Sequence, residues 1–301
     1  TDGTWEKLRE MSTIQSDGRL IVKQFKRNWE NPKHAVYDGQ QKAIARALCK
    51  SEWLWQQDSD EIVHEDDYNK IKPVIAQIEE AHQNEIHIVA LPVIEYWGGL
   101  RGKVRIDVNP WKCRLSRNLP IITHGIPGNQ RKFDSSGDVY SAGSDGCCYI
   151  HSKNFQDYPY AQFFNDDYLK LKQAAMTSPA ALNEYEKLLN SIVDQLPGVH
   201  HYSWFNLERK INTYKNYWSK HWSSLFNVTI EDLPEHNKFF NKKWSDVTDE
   251  DIKLLANRLE KEMGGWVFHR RIDFSKPTPW IYVDRDHPKI MAKWISENSG
   301  R

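Results

Sequence analysis

No apolar run in this chain approaches the roughly 20 residues that a membrane-spanning helix needs, and mean hydropathy is -0.74. Spanning helices are therefore not expected. Excess charge is also missing, because 41 Lys and Arg balance 41 Asp and Glu. A formal net charge of zero removes the bulk electrostatic reason to expect nucleic acid or an anionic membrane as partner. Cysteine is scarce, with four residues at Cys49, Cys113, Cys147 and Cys148. Their spacing fits neither a disulfide framework nor a cysteine zinc site. The expectation is reduced thiols in a cytoplasmic protein. There is no internal repeat and no low-complexity tract. The opening Thr1-Asp-Gly-Thr-Trp-Glu-Lys7 does not resemble a signal peptide. Nothing in the sequence signals an oligomeric state.

Aromatic side chains are plentiful, with 13 Trp, 13 Tyr and 11 Phe in 301 residues. Such rings fill a core, or they line a sugar site, where flat apolar faces cover C–H groups while polar groups fix orientation. The length suits one large domain or two ordinary ones.

The richest segment is Trp53-Leu-Trp-Gln-Gln-Asp-Ser-Asp-Glu61. A helix over 39–49, with Ile44 and Leu48 on one face, precedes a short buried strand that ends in Asp58 and Asp60. Helix, strand and then acids at the strand's carboxyl end is the layout of an open α/β sheet, where ligands bind. Two carboxylates there suit a hard divalent cation that in turn holds phosphate oxygens. Further along, the pattern predicts a short helix over 2–11 and a strand over 19–25. It also predicts a helix over 68–82 led by Glu65-Asp-Asp67, and a strand over 85–96 bent at Pro92. Residues 97–146 read as a loop-rich insertion containing strands over 103–108 and 112–117. Residues 146–151 read as one more core strand. Helices follow over 162–176, 178–196, 207–226 and 248–263. The third carries Leu207, Ile211, Tyr214, Trp218, Trp222 and Leu225 at steps of three and four. The last opens on Thr-Asp-Glu-Asp and closes at Gly264-Gly265.

Four elements in order resemble family 2 glycosyltransferases of the GT-A fold. Thr1-Asp-Gly-Thr-Trp-Glu-Lys-Leu8 resembles the end of that family's DDGSxDGT segment, and Trp53–Glu61 resembles its metal-binding DxD element. Trp111-Lys-Cys-Arg-Leu-Ser-Arg-Asn118 is similar to its Arg-Leu segment after the acceptor-side loop. His200-His-Tyr-Ser-Trp-Phe205 is similar to its HYxW element. The resemblance implies a Rossmann-like, mostly parallel sheet flanked by helices, with a loop-rich acceptor insertion and a helical C-terminal region. On this reading residues 1–205 form the transferase core and 206–301 a helical extension. The family's opening strand, helix and second strand are expected upstream of Thr1.

The implied activity is metal-dependent transfer of a sugar from a nucleoside-diphosphate sugar to a glycan, lipid-linked or small-molecule hydroxyl acceptor, with inversion. Mn²⁺ or Mg²⁺ would be held by Asp60, by Asp58 directly or through water, and by His201, with His200 as the alternative imidazole. Asp145, Asp138 and Glu95 are candidate general bases, and His124 is a further one. Asp58, Trp97, Arg101, Arg114 and His124 are expected near donor or acceptor. Lys210 and Lys215 could reach the diphosphate, although a solvated helix face is the simpler reading. The competing classes are a glycoside hydrolase with paired carboxylates and a carbohydrate-binding module. Asp58 and Asp60, two positions apart on one turn, suit the hydrolase poorly, since its acids flank the sugar at about 5–10 Å.

Overall fold

The computed structural model describes residues 3–14, 18, 20–24, 41–42, 44–82, 86–107, 111–119, 122–123, 132–133, 139–140, 148–149, 156–158, 165–218, 239–240, 242–265, 274–275 and 278–298. The chain forms two compact units interleaved in sequence, Thr1–Leu54 with Arg117–Ile150 and Ser224–Phe226, and the larger Trp55–Ser116 with His151–Ser223 and Asn227–Arg301.

In the smaller unit, α1 (Thr4–Ile14) buries none of its residues, and residues 41–42 and 44–48 are helical. Two short antiparallel ladders pair β6 (Ile122–Thr123) with β9 (Cys148–Tyr149) and β7 (Lys132–Phe133) with β8 (Val139–Tyr140). Of the core strand expected over 146–151, the described residues 148–149 form one half of a two-stranded ladder. The strand expected over 19–25 does not form at its described residues, 20–24. Their apolar side chains are mostly left outside the core, with Ile21 57% exposed, so no burial supports an extended ladder there. Glu52 and Arg117 pair at 2.6 Å, with the guanidinium over the Trp53 ring. Trp53 opens β1 (Trp53–Trp55).

The larger unit is built on β3 (Ile86–Glu95), a nearly continuous apolar run that is buried along almost its whole length. Such a run is what a strand paired on both edges and covered on both faces requires. One edge holds β5 (Trp111–Arg117), antiparallel. The first half of the other edge holds β10 (Gln156–Tyr158), parallel. Its second half holds β11 (Val199–His201), also parallel, and β2 (Glu61–Val63) closes the path antiparallel to β11. The architecture is therefore α/β with a mixed sheet, where a mostly parallel one was expected. The difference arises because the chain returns along β3 through the loop before β5, and because β2 arrives from a tight turn. The register between β3 and β5 shifts between Val89 and Ala90, where Arg114 is the extra residue on β5, and Pro92 sits in register opposite Trp111. A separate ladder pairs β4 (Lys103–Arg105) with β12 (Trp280–Tyr282), so the C-terminal region is not wholly helical.

The helices of this unit follow their capping signals. A short turn, Glu65–Asp67, leads α2 (Tyr68–His82). Asn165 caps α3 (Asp166–Ala175). Ser178, with Pro179 in the first turn, caps α4 (Pro179–Gln195). Thr248 and Asp251 form a reciprocal capping box on α6 (Asp249–Glu262). Asn206 caps α5 (Leu207–Thr213), which passes into a π-helical turn, Tyr214–Trp218. Its remaining expected length lies outside the described residues. Leu207 and Ile211 on α5, Tyr214 in the π-helical turn, and Ile252, Leu255 and Leu259 on α6 share a core with Trp97 and Trp204. The last described element is α7 (Ala292–Asn298).

Candidate functional site

The site lies within the larger unit. After β1 the chain turns at Asp58, where the Glu61 N–H donates to the Asp58 carbonyl at 3.1 Å. Asp suits the first position of such a turn. The turn feeds β2, so Asp58 and Asp60 stand between two strands. The Tyr202 N–H donates to the Asp60 carbonyl at 3.0 Å, which extends the ladder and holds Asp60 beside the end of β11.

Register then decides which side chains meet. His201 lies opposite Glu61 on β2 and opposite Glu95 on β3. Directly opposed residues share a face, so Glu61, His201 and Glu95 form one row across three strands. His200 lies in the neighbouring row with Ile62 and Ile94 and points to the other face. Of the two adjacent histidines, the pleat therefore turns His201 toward the acids.

The His201 Nδ1 is 2.7 Å from Glu95 Oε2, and its Nε2 is 3.6 Å from Asp60 Oδ2. The imidazole is 8% exposed and the Asp60 carboxylate 43%, so the pair spans from buried to open. Burial alone would suppress the charge on His201. The Glu95 charge and the bonds to Asp60 and Glu95 outweigh it and raise the pKa to about 9. The ring is then an imidazolium at neutral pH. Burial alone would raise the Asp60 carboxyl, but the bond and charge of His201, the Ser203 hydroxyl and the Lys210 charge hold it well below the usual range.

A second set of charges backs this pair. Arg114 donates Nε to Glu61 Oε2 at 2.7 Å and Nη2 to Glu61 Oε1 at 2.6 Å. Its Nη2 also donates to Asp58 Oδ2 at 3.0 Å, and Lys112 Nζ reaches Glu61 Oε1 at 3.2 Å. Burial would raise the Glu61 carboxyl; the bond and charge of Arg114, with Lys112, hold it ionised. Lys112 and Arg114 stand on β5, and Glu61 on the strand at the far end of the path, so the sheet curls to bring them together. Lys210 donates to the Ser203 hydroxyl, and burial lowers its own pKa. Lys215 donates to the Val247 carbonyl at 2.6 Å. Neither lysine lies on a solvated helix face, contrary to the simpler reading. Both flank the buried Leu207–Ile211–Tyr214 stripe, so the alkyl stems run inward and the ammonium groups find oxygens there.

Asp60 opens onto a cleft of about 760 Å³, lined also by Ser59, Gly98, Phe205, Asn257 and Trp294. That volume suits a bound small molecule. Gly98 adopts φ +69°, and a Cβ there would come within 2.9 Å of Glu260 Cγ, so this wall requires glycine.

The other expected residues fall elsewhere. Trp97 is in the core; its Nε1 donates to the Leu259 carbonyl at 3.0 Å, and its ring packs on Trp204 at 4.8 Å. Arg101 binds Asp284 through two N–H groups at 2.8 and 2.7 Å and covers the Tyr282 ring. Asp138, Asp145 and His124 lie outside the described residues. Glu61, Lys112 and Ser203, which complete the charge cluster, were not expected. Glu61 immediately follows the DxD element, and Lys112 stands two positions before Arg114, on the same face of a strand. That alternation was the available signal.

Among the described residues, no group of three or more His, Cys, Asp or Glu side chains is arranged to hold a metal ion. Asp58 is turned to Arg114, which leaves Asp60 and His201 facing each other. Two adjacent ligands of an octahedral ion, each about 2.1 Å from it, stand about 3 Å apart. The 3.6 Å separation is close to that. Mg²⁺-type ions are commonly held by one or two protein groups, with water and substrate phosphates completing the shell. A carboxylate bonded to the far nitrogen of the imidazole is the usual support of a metal-bound histidine. Glu95 occupies that position, and its Oε1 is buried with no partner among the described residues. A divalent ion at this pair would have to displace the His201 proton and draw the rest of its shell from water or a bound ligand.

No protein-family model, no curated protein and no solved structure matches the chain.

Proposed function

We propose that this protein is a GT-A-type, metal-dependent glycosyltransferase acting on a nucleoside-diphosphate sugar, in a reducing, cytoplasmic setting. The observation that carries the reading is the His201 imidazole held by Glu95 on one nitrogen and facing Asp60 across 3.6 Å on the other, beside a cleft of ligand size. A free thiol at Cys49 is consistent with the setting.

Asp60 and His201 would hold Mn²⁺ or Mg²⁺. The bound ion would supply positive charge for the diphosphate that leaves as the glycosidic bond to the nucleotide breaks. Glu95 fixes the ring plane and the tautomer of His201, so on this reading it is a positioning residue and not the base. Arg114 and Lys112 keep Glu61 ionised and hold the turn that carries Asp58 and Asp60. Lys210, on the Ser203 hydroxyl, adds a positive charge behind Asp60. The base for the acceptor hydroxyl is sought among Asp145, Asp138 and His124.

The test is thermal unfolding with Mn²⁺ and a panel of UDP-, GDP- and dTDP-sugars. A ligand at 100 times its Kd adds about 2.7 kcal/mol of stability. Asp60→Ala should abolish the metal-dependent part while the protein stays folded. A hydrolase or a lectin would ignore the nucleotide, and stabilisation that persists unchanged in Asp60→Ala would reject the assignment.

A further inference from the structure

The end of the cleft away from the charge cluster is built by the C-terminal strap, residues 283–298. This segment is tied down along its length. The Val283 N–H donates to the Gly102 carbonyl at 3.0 Å. The Arg285 Nη2 donates to both oxygens of the buried Asp67 at 2.7 and 2.8 Å. His287 Nε2 donates to the Leu100 carbonyl at 2.9 Å, so its Nδ1 accepts from the Tyr202 hydroxyl, also at 2.9 Å. The Glu65 carboxylate accepts the N–H groups of Lys289 and Ile290. These ties deliver α7 with Trp294 packed edge-on against Phe205 at 4.8 Å and Tyr202 at 5.6 Å.

Trp294 is only partly buried, and it lines the same cleft as Asp60, Phe205, Asn257, Glu260 and Asn298. Rings held at fixed angles beside amide and carboxylate groups are the chemistry that recognises a sugar. A lipid chain would instead need a continuous apolar lining, and an anionic ligand would meet Asp60 and Glu260. We infer that Trp294 and Phe205, with Asn257 and Asn298, form a binding subsite for a neutral saccharide, the acceptor in the reaction proposed above. The inference rests on the transferase reading for the word acceptor, while saccharide binding itself can be measured without any donor. Pre-ordering by the strap means that little freedom is lost when the sugar binds.

The experiment titrates the full chain, free of nucleotide, with cellotetraose, maltotetraose, xylotetraose and chitotetraose, followed by saturation-transfer NMR. At least one tetrasaccharide should bind. Trp294→Ala should weaken that binding at least about tenfold, with Trp294→Phe within about threefold of wild type, since the ring supplies the contact. If Trp294→Ala does not fold, Asn257→Ala replaces it, at an exposed position on α6 away from the strap, and should weaken binding severalfold. Binding by none of the four sugars, or undiminished binding by the variant, overturns the inference. Failure of the nucleotide titration with saccharide binding intact would instead reject the transferase reading and leave the subsite standing.

Discussion

The two faces of β11 carry adjacent imidazoles in opposite electrostatic states. On one face His201 sits between carboxylates and is raised to about 9, its burial outweighed by the Glu95 charge and by the bonds to Asp60 and Glu95. On the other face His200 is fully buried, and burial, with the nearby Arg285 charge, lowers it to about 3. Its Nδ1 accepts from the Tyr96 hydroxyl at 2.7 Å, and Tyr96 stacks with Tyr202 and His287. Burial is comparable on the two faces. The partners differ: carboxylates for one ring, and a phenol with a network already neutralised by the Asp67–Arg285 pair for the other. Partner chemistry, more than depth, sets the charge of a buried histidine.

The comparison can be broken at several points. The largest effect is expected from Arg114→Ala. It strips Glu61 of its bidentate partner and leaves Lys112 and the Asp58 N–H, so the protein should lose about 3 kcal/mol, read from the urea midpoint. A loss below about 1 kcal/mol would mean the charged face behaves like a surface network. Next is Glu95→Gln, which removes the carboxylate behind His201. If Glu95 positions that ring, Mn²⁺ affinity measured by calorimetry should fall about 10- to 100-fold while the fold is kept. Unchanged affinity would detach Glu95 from the site.

The pH dependence sharpens the contrast with a smaller effect. His201 has a raised folded pKa, so its contribution is complete below about 6.5 and is lost as pH rises through about 9. His200 has a depressed folded pKa, so its contribution is complete above about 6.5 and is lost as pH falls toward about 3. Stability of the metal-free protein should therefore peak near neutrality. His201→Gln should flatten the alkaline limb and His200→Gln the acid limb, each by several degrees in Tm. Both variants flattening the same limb would contradict the opposed assignment. The smallest effect is expected from Trp97→Phe. It loses the bond to the Leu259 carbonyl, costing about 1 kcal/mol, and should leave nucleotide binding untouched, because Trp97 belongs to the core.

Much of the fold was legible because its signals are local. Ser178-Pro179, Thr248 with Asp251, and the 68–82 periodicity mark helix ends and faces through contacts only three or four residues apart. The apolar run of β3 declared a doubly covered strand. The strand expected over 19–25 shows the limit of such reading, since an apolar stretch becomes a strand only when a partner edge and a buried face are available. β12 was missed for the converse reason: its three residues gain their place only by pairing with β4, some 180 positions away in sequence. Asp60 was singled out by its place after a short strand, and His201 through motif resemblance. Glu61 and Lys112 were not, because their role depends on the curl of the sheet.

By itself, then, the sequence determined the α/β class, most helix boundaries and the residue types that gather near the Asp58–Glu61 turn. Tertiary structure alone decided that Glu61, His201 and Glu95 stand in one row, that His200 turns away, that Trp97 serves the core, and that the strap brings Trp294 to the cleft. The physical reason is that helix caps and hydrophobic periodicity act over one or two turns, whereas strand register is fixed by pairing between distant segments. A shift of one residue in that pairing would carry every side chain of β11 to the opposite face.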